Sequence, residues 1–417
     1  MEAMDARPVT LKNDANFRWL MRGGLVSNLG DQLTIVALPL LVLQLTGDPL
    51  ALGTVLALMG LPRAVFLLFG GALVDRLSPV RVLMASKMVN SVLLAVLAVM
   101  AATGDIPVVL VNVLAFCLGM TQAFGIPAGT SILPAALPAA LLEAANGALM
   151  GVRQVTMLAG PLLAALLVTT SRHGLALAFA VDCASFIFSA WTLARVTLAA
   201  RAGVVHAPVL QAVGQGLRMV WDDVPMRLCF LYWALVSLCI GGVMQVALPL
   251  LATQMFHGGA TLGVFLGANG AGMLLGMAGA ALGGKRLNLV RFGSLILLLD
   301  GTAGLLVAPL GLFGHAWAVA ALLLCLGTLS GFLQITVYTW IQRRVPLAMM
   351  GRVMSIFMCI VMGVAPLSSL GAGWLLTVVA LPDLLLGGGV MLMLMAASAW
   401  LLTPMRHILL IEQRTAG

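Results

Sequence analysis

Apolar residues run through this chain in long stretches, with polar residues confined to short intervals between them. Twelve stretches stand out, at about 20–45, 50–74, 82–103, 107–131, 148–169, 174–197, 229–252, 260–283, 291–311, 316–341, 353–378 and 382–404. Each is about 20 residues or longer, enough for a helix to cross a hydrocarbon layer roughly 30 Å thick. Helix is also the local structure that satisfies every backbone N–H and C=O where there is no water. Turn-forming residues mark the boundaries: Gly47-Asp48-Pro49, Gly104-Asp105, Arg172-His173-Gly174, His257-Gly258-Gly259 and Leu381-Pro382-Asp383. The pattern predicts an all-α membrane protein with twelve transmembrane helices.

Composition agrees. Of 417 residues, 62% are hydrophobic and 9% charged, and the mean hydropathy is +1.11. So few charges cannot coat a soluble globule of this size, so the surface must face lipid. The formal net charge of +8 does not indicate nucleic acid, because the basic residues sit in short intervals between apolar runs. One alternate set of intervals, with both termini, carries nearly all of them, including Arg18, Arg22, Arg76, Arg81, Lys87, Arg218, Arg286, Arg343, Arg352 and Arg406. The opposite set carries only Arg172, while Arg63 and Arg153 fall within spans. The positive-inside rule then puts both termini in the cytoplasm and requires an even number of crossings. The N-terminus is polar and basic up to Arg22 and enters a full-length span, without a cleavable signal pattern. The cysteines (Cys117, Cys183, Cys229, Cys239, Cys325, Cys359) lie in or beside apolar runs without zinc-ligand spacing, and read as buried apolar side chains. No metal is expected.

The longest polar stretch, 198–228, separates a six-span half at 1–197 from another at 229–417. Within it, Leu210, Val213, Leu217 and Val220 share one helical face with Arg218 opposite. This stretch is either a short helix on the cytoplasmic surface or an unstructured linker. The halves repeat one another. Val36-Ala37-Leu38-Pro39-Leu40-Leu41 recurs as Val246-Ala247-Leu248-Pro249-Leu250-Leu251, an offset of 210 residues. The same register aligns Leu25-Val26-Ser27 with Leu235-Val236-Ser237, Gly60 with Gly270, and Arg76-Leu77 with Arg286-Leu287. Six spans per repeat is an even number, so the repeats run parallel, related by an axis along the membrane normal. Two pseudo-symmetric six-helix bundles are expected.

These features resemble the major facilitator superfamily over nearly the whole chain. Gly71-Ala72-Leu73-Val74-Asp75-Arg76-Leu77-Ser78-Pro79-Val80-Arg81 is similar to its cytoplasmic signature G-x-L-a-D-R-x-G-R-R-R, with Ser78, Pro79 and Val80 in place of a glycine and two basic residues. Ser27-Asn28-Leu29-Gly30-Asp31, Phe124-Gly125-Ile126-Pro127-Ala128 and Asp182-Cys183-Ala184-Ser185-Phe186 resemble the third drug:proton antiporter group, whose relatives export macrolides and siderophores. Gly160-Pro161 with Ala164-Ala165 is similar to the antiporter motif G-P-x-x-G-G. The resemblance implies the major facilitator fold, a bacterial inner-membrane location, a monomer, and export of a small amphipathic molecule (a drug, siderophore or secondary metabolite). It also implies that Asp75 meets the N-terminal end of the eleventh helix and latches the halves in one state.

A charge at mid-bilayer costs roughly 2.5–3.5 kcal/mol on insertion scales, so such residues need a reason to be there. Asp31 and Arg63 each lie sixteen residues from the turn at Gly47, at equal depth on adjacent antiparallel helices where an ion pair can form. Asp31 is the expected proton-coupling carboxylate, with Asn28, Gln32 and Ile35 on its helical face; the alternative is a static pair locking two helices. Asp182 and Asp300 are the other intramembrane acids, read either as hydrogen-bonding anchors or as secondary protonation sites. Gln122, Tyr232, Gln245, Gln334 and Tyr338 are the cavity-lining candidates, few and uncharged, which suits an amphipathic or apolar substrate.

Gly263, Gly267, Gly270, Gly272, Gly276 and Gly279 on the eighth helix permit close helix approach, either as a sliding contact between halves or as plain packing. Pro161 can bend the fifth helix. Gly279 to Arg286 nearly spells a phosphate-binding loop but lacks the final Ser/Thr and follows a membrane helix, so no nucleotide is expected. With no cofactor signature, energy should come from an ion gradient. The reading is a proton-coupled exporter working by alternating access on a small-molecule substrate. An uptake carrier or uniporter of the same fold is the first rival, and a membrane enzyme or sensor on that scaffold the second.

Overall fold

In the computed structural model, which describes residues 11–104, 106–171, 173–197, 209–256, 258–283 and 291–409, twelve helices are long and apolar enough to cross a membrane. In chain order they are α1 (Ala15–Thr46), α2 (Pro49–Leu77), α3 (Pro79–Thr103), α4 (Val108–Ala136), α5 (Leu142–Thr170) and α6 (Gly174–Leu193). After a linker helix, Val209–Asp222, follow α7 (Val224–Met255), α8 (Gly259–Leu282), α9 (Phe292–Gly311), α10 (Ala316–Arg344), α11 (Leu347–Leu375) and α12 (Leu381–Leu402). Among the described residues there is no strand. The all-α, twelve-helix reading of the apolar pattern is borne out. Side chains at 68–76 lie outside the described residues, as do 284–290, so the expectations placed on Gly71, Asp75, Arg76 and Arg286 are not addressed by the structure.

The punctuation seen in the sequence makes the helix ends. Gly47 adopts φ 62° and its N–H donates to the Leu43 carbonyl at 2.8 Å, closing α1. Asp48 Oδ1 then accepts from the Leu50 N–H at 2.9 Å, with Pro49 at the first position of α2. Gly104, at φ 78°, ends α3 in the same way as Gly47. Between α2 and α3, Ser78 sits at φ 101° and ψ 130°, a region that glycine occupies almost alone and that costs another residue about 1–3 kcal/mol. This is the position where the signature carries glycine.

By contact, the described residues form two compact units: 11–38 with 65–197, and 39–64 with 209–409. In the first unit, α3 packs on α6 and α4. In the second, residues 49–64 of α2 pack against α11. A Cβ at Gly53 would overlap the Ser369 carbonyl, and one at Gly60 would overlap the Pro366 ring. Grouping by sequence repeat and grouping by contact therefore differ over 39–64.

The eighth-helix glycines have a definite use. Gly272 and Gly276 bring the α8 backbone against the Leu324 and Thr328 carbonyls of α10, while Gly327 and Gly331 of α10 face the Asn269 and Met273 carbonyls of α8. Four glycines thus interlock two helices of the same unit at backbone distance. For Gly272 and Gly276 this is plain packing within one unit. Gly160 likewise packs within the first unit, where the Gln32 side chain of α1 fills the space a Cβ would take.

The linker is helical over Val209–Asp222 and docks on α11. Gly216 and Val220, four residues apart, are buried, Gly216 against Ile356 and Arg352. Leu217, expected on the apolar face, is 53% exposed instead. The packed face centres on the glycine, because only there can the helix approach α11 closely. At its end Asp223 caps α7 by accepting from the Met226 N–H at 2.9 Å, and it accepts from Arg344 Nε of α10 at 2.6 Å.

Candidate functional site

Among the described residues, three groups of polar side chains inside the helices bear on function. The first belongs to the first unit. On α6, Asp182, Ser185, Ser189 and Thr192 recur every three or four residues and are all buried, so they form one polar stripe. On α1, Gly23 and Gly30 face this stripe: a Cβ at Gly23 would overlap Thr192 Oγ1, and one at Gly30 would overlap Asp182 Oδ1 and Ser185 Oγ. The glycines therefore let α1 close on α6 and bring Asp31 and Thr34 beside Asp182. Thr34 Oγ1 donates to Asp182 Oδ2 at 2.5 Å, and Ser185 Oγ donates to Asp182 Oδ1 at 3.0 Å.

Lys87 of α3 completes this group. Its Nζ donates to Ser27 Oγ at 2.9 Å and lies 5.2 Å from the centroid of the Phe186 ring. It is within electrostatic reach of both Asp31 and Asp182, which also sense each other. From sequence, Asp31 and Arg63 are at equal depth and Lys87 falls among the charges of the cytoplasmic intervals. Among the described residues of its own unit, Lys87 and Asp182 are charged neighbours of Asp31. The signal for Lys87 was present. It lies five residues inside the apolar run at 82–103, among Ser86, Asn90 and Ser91, and a lysine on a polar face within a span is a functional candidate by default.

Charge counting gives this group its chemistry. Two carboxylates and one ammonium sum to one net negative charge, which is costly away from water. One bound proton makes the group neutral. The hydroxyls of Ser27, Thr34 and Ser185 can reorient as donors or acceptors when that proton comes and goes.

The second group surrounds a cavity of about 240 Å3 in the second unit, lined by Leu56, Met59, Gly60 and Arg63 of α2, Gln245 of α7, and Val361, Met362, Ala365 and Pro366 of α11. Here α7 departs from regular helix, with π turns at Ser237–Gly241 and Leu251–Met255 on either side of the Gln245 segment. Such turns concentrate at functional sites. Between them Gly242 approaches α11 closely enough for its N–H to donate to Ser368 Oγ at 2.9 Å. Gln245, a cavity-lining candidate from the sequence, lines this cavity together with Arg63.

The third group is Tyr232 of α7 and Asp300 of α9, which lie near each other in the buried core of the second unit. Around them stand Phe230, Trp233, Phe292, Trp340 and Phe357, with Phe292 stacked on Trp340 at 4.6 Å. Tyr232 is thus a core residue and not part of the cavity at Arg63. Tyr338 packs on the same cluster, edge-on to Phe357, with its hydroxyl directed at Met358 Sδ. Of the remaining candidates, Asn28 and Gln122 are half-buried, Gln334 and Arg81 are exposed, and Pro161 is buried within α5. The described residues contain no cluster of His, Cys, Asp and Glu able to hold a metal.

Residues 20–370 match the family described as the Major Facilitator Superfamily. The chain belongs to this superfamily. As a superfamily transporter it is 30% identical over 275 residues to the "Multidrug efflux pump Tap" of Mycolicibacterium fortuitum, covering 63% of this chain and 66% of that protein. The match thus spans a little under two thirds of that relative's length. The fold is similar to that of a mutant of the nucleoside transporter NupG, with a TM-score of 0.73 at 12% identity over 92% of this chain and 98% of that one. It is also similar to a D-xylose-proton symporter, with a TM-score of 0.68 at 14% identity over 94% of this chain and 98% of the other. At such identities the two structures speak for fold alone. The molecule is therefore a multi-pass membrane transporter of the major facilitator fold.

Proposed function

We propose that this transporter exports small amphipathic molecules across the bacterial inner membrane in exchange for protons, as a monomer with both termini in the cytoplasm. The observation that carries the reading is the group of Asp31, Lys87 and Asp182 on three helices of one unit. A transporter coupled to protons needs a site that holds a proton away from bulk water and changes its surroundings when the proton leaves. Two acids beside one lysine, neutral as a group only with one proton bound, meet the first need. Their positions on α1, α3 and α6 meet the second, because loss of the proton changes the attraction among three helices at once. Export is supported by the likeness to a multidrug efflux pump over 63% of this chain. Asp182, read from sequence as a secondary acid, becomes an equal partner of Asp31 in this proposal.

The test uses proteoliposomes with an imposed pH gradient. The Asp31→Asn and Asp182→Asn variants are expected to lose gradient-driven accumulation while still exchanging substrate down its own gradient. Gradient-driven transport at the wild-type level in both variants would remove proton coupling at this site. Running the assay in everted and right-side-out vesicles separates export from uptake.

A further inference from the structure

The cavity at Arg63 says something about the substrate that the polar candidates alone did not. Its wall is apolar except for two side chains, the Arg63 guanidinium and the Gln245 amide. None of the residues that line it is acidic. Ser369 Oγ makes a long hydrogen bond, 3.4 Å, to Gln245 Oε1. Gln245 keeps its two amide N–H donors and at least one further lone pair on Oε1. Arginine carries donors only. The polar part of the wall is therefore richer in donors than in acceptors and carries the positive charge of Arg63, and the rest offers Leu56, Met59, Val361 and Met362.

Chemistry follows from this division. A planar guanidinium beside an amide donor suits a planar oxyanion, which can take two parallel hydrogen bonds from arginine. Methionine thioethers are flexible and polarisable, and they accommodate varied apolar shapes without a fixed fit. At about 240 Å3 the space is below the usual range for a whole drug-sized ligand, so it suits a head group and the first part of its apolar body.

We propose that this cavity receives the anionic head of an amphipathic substrate, a carboxylate or comparable oxyanion, held by Arg63 and Gln245 with its apolar body against Met59 and Met362. The proposal rests on the transport function proposed above and narrows the substrate from amphipathic molecules in general to amphipathic anions. It replaces the expectation of an uncharged cavity.

The experiment is equilibrium dialysis of the full-length protein in lipid nanodiscs with three radiolabelled probes of one shape: 1-naphthylacetate, 1-naphthylacetamide and 1-naphthylethylammonium. Empty nanodiscs give the lipid background. No pH gradient is applied, so failure of proton coupling leaves the result untouched. The anion is expected to bind about tenfold or more tightly than the amide, the value of one charge-assisted hydrogen bond, and the ammonium to stay at background. Arg63→Gln should bring the anion down to the level of the amide, and Arg63→Lys should keep part of the preference. Met362→Trp, which fills the cavity from its apolar wall, should abolish binding of both anion and amide, while amide binding kept in Arg63→Gln shows that this variant is folded. Equal binding of the three probes, binding of none, an anion preference that survives Arg63→Gln, or full binding in Met362→Trp would each overturn the proposal.

Discussion

At the scale of single residues, the charges inside the bilayer decide what the molecule can do. Asp31 was legible from sequence because an acid deep in an apolar run is costly to insert and stands apart from every neighbour. Lys87 was only half legible: it lies five residues inside its run on a polar face, yet close enough to the end to count with the loop charges that set topology. Only the packing of α3 against α6 reveals that its ammonium reaches inward to Ser27 and the two acids. The balance between these charges makes a prediction. Removing one member of a buried charged group leaves the others uncompensated, whereas removing a pair of opposite sign can be nearly neutral. Lys87→Met should destabilise the purified protein by up to about 3 kcal/mol, with proton uptake by the acids limiting the loss. Adding Asp182→Asn to that variant should recover at least half of it, a favourable coupling within the range expected for residues in contact. Denaturant titration of the wild type, both single variants and the double variant in one detergent measures this. Strict additivity would mean that Lys87 and Asp182 do not share a charge balance.

At the scale of helices, the sequence was readable wherever the chain punctuates itself and silent about which helices meet. Gly47, Asp48, Pro49 and Gly104 sit where the boundaries were expected, because capping and left-handed turns are local properties of a few residues. Pairing is not local. The glycines of α8 announced a close approach, but only the structure shows that Gly272 and Gly276 meet α10 and that α10 answers with Gly327 and Gly331. The linker shows the same limit: its helix was foreseen as one of two outcomes, yet the docking face turned on Gly216 and left Leu217 outside. The α8–α10 contact can be tested directly. A side chain at 276 would press on the Thr328 carbonyl and the Phe332 N–H, both backbone atoms with little room to move. Gly276→Val should therefore cost roughly 1–3 kcal/mol of stability, the usual range for overpacking. Gly279→Val, one turn further along the same helix and with nothing within 4 Å of a Cβ, should stay within about 0.5 kcal/mol. Equal losses in thermal unfolding would mean that the two helices do not meet at backbone distance.

At the scale of the whole molecule, the duplicated order of spans is plain in the 210-residue repeat, while the mechanical grouping of those spans is not. Contact joins residues 39–64 to the C-terminal helices, although repeat symmetry assigns α2 to the N-terminal half. The discrepancy has a physical source in Gly53 and Gly60, which let α2 lie directly on α11. If transport proceeds by rocking of the two sequence repeats, this contact must part or slide in every cycle. A Cβ at position 363 of α11 would lie 3.1 Å from the Ala64 Cβ of α2, near enough for a disulfide after a shift of about 0.5 Å. The Ala64→Cys/Gly363→Cys variant, in a background without the native cysteines, should cross-link under mild oxidation. Cys359 in particular must go, since its Sγ is 3.9 Å from the same place. Oxidation should reduce transport by roughly tenfold or more, as expected when a required domain movement is blocked, and reduction should restore it. Single-cysteine variants treated in the same way should keep their activity. A fully cross-linked protein that still transports at the reduced rate would show that α2 and α11 travel together, and the moving bodies would then be the contact units rather than the sequence repeats.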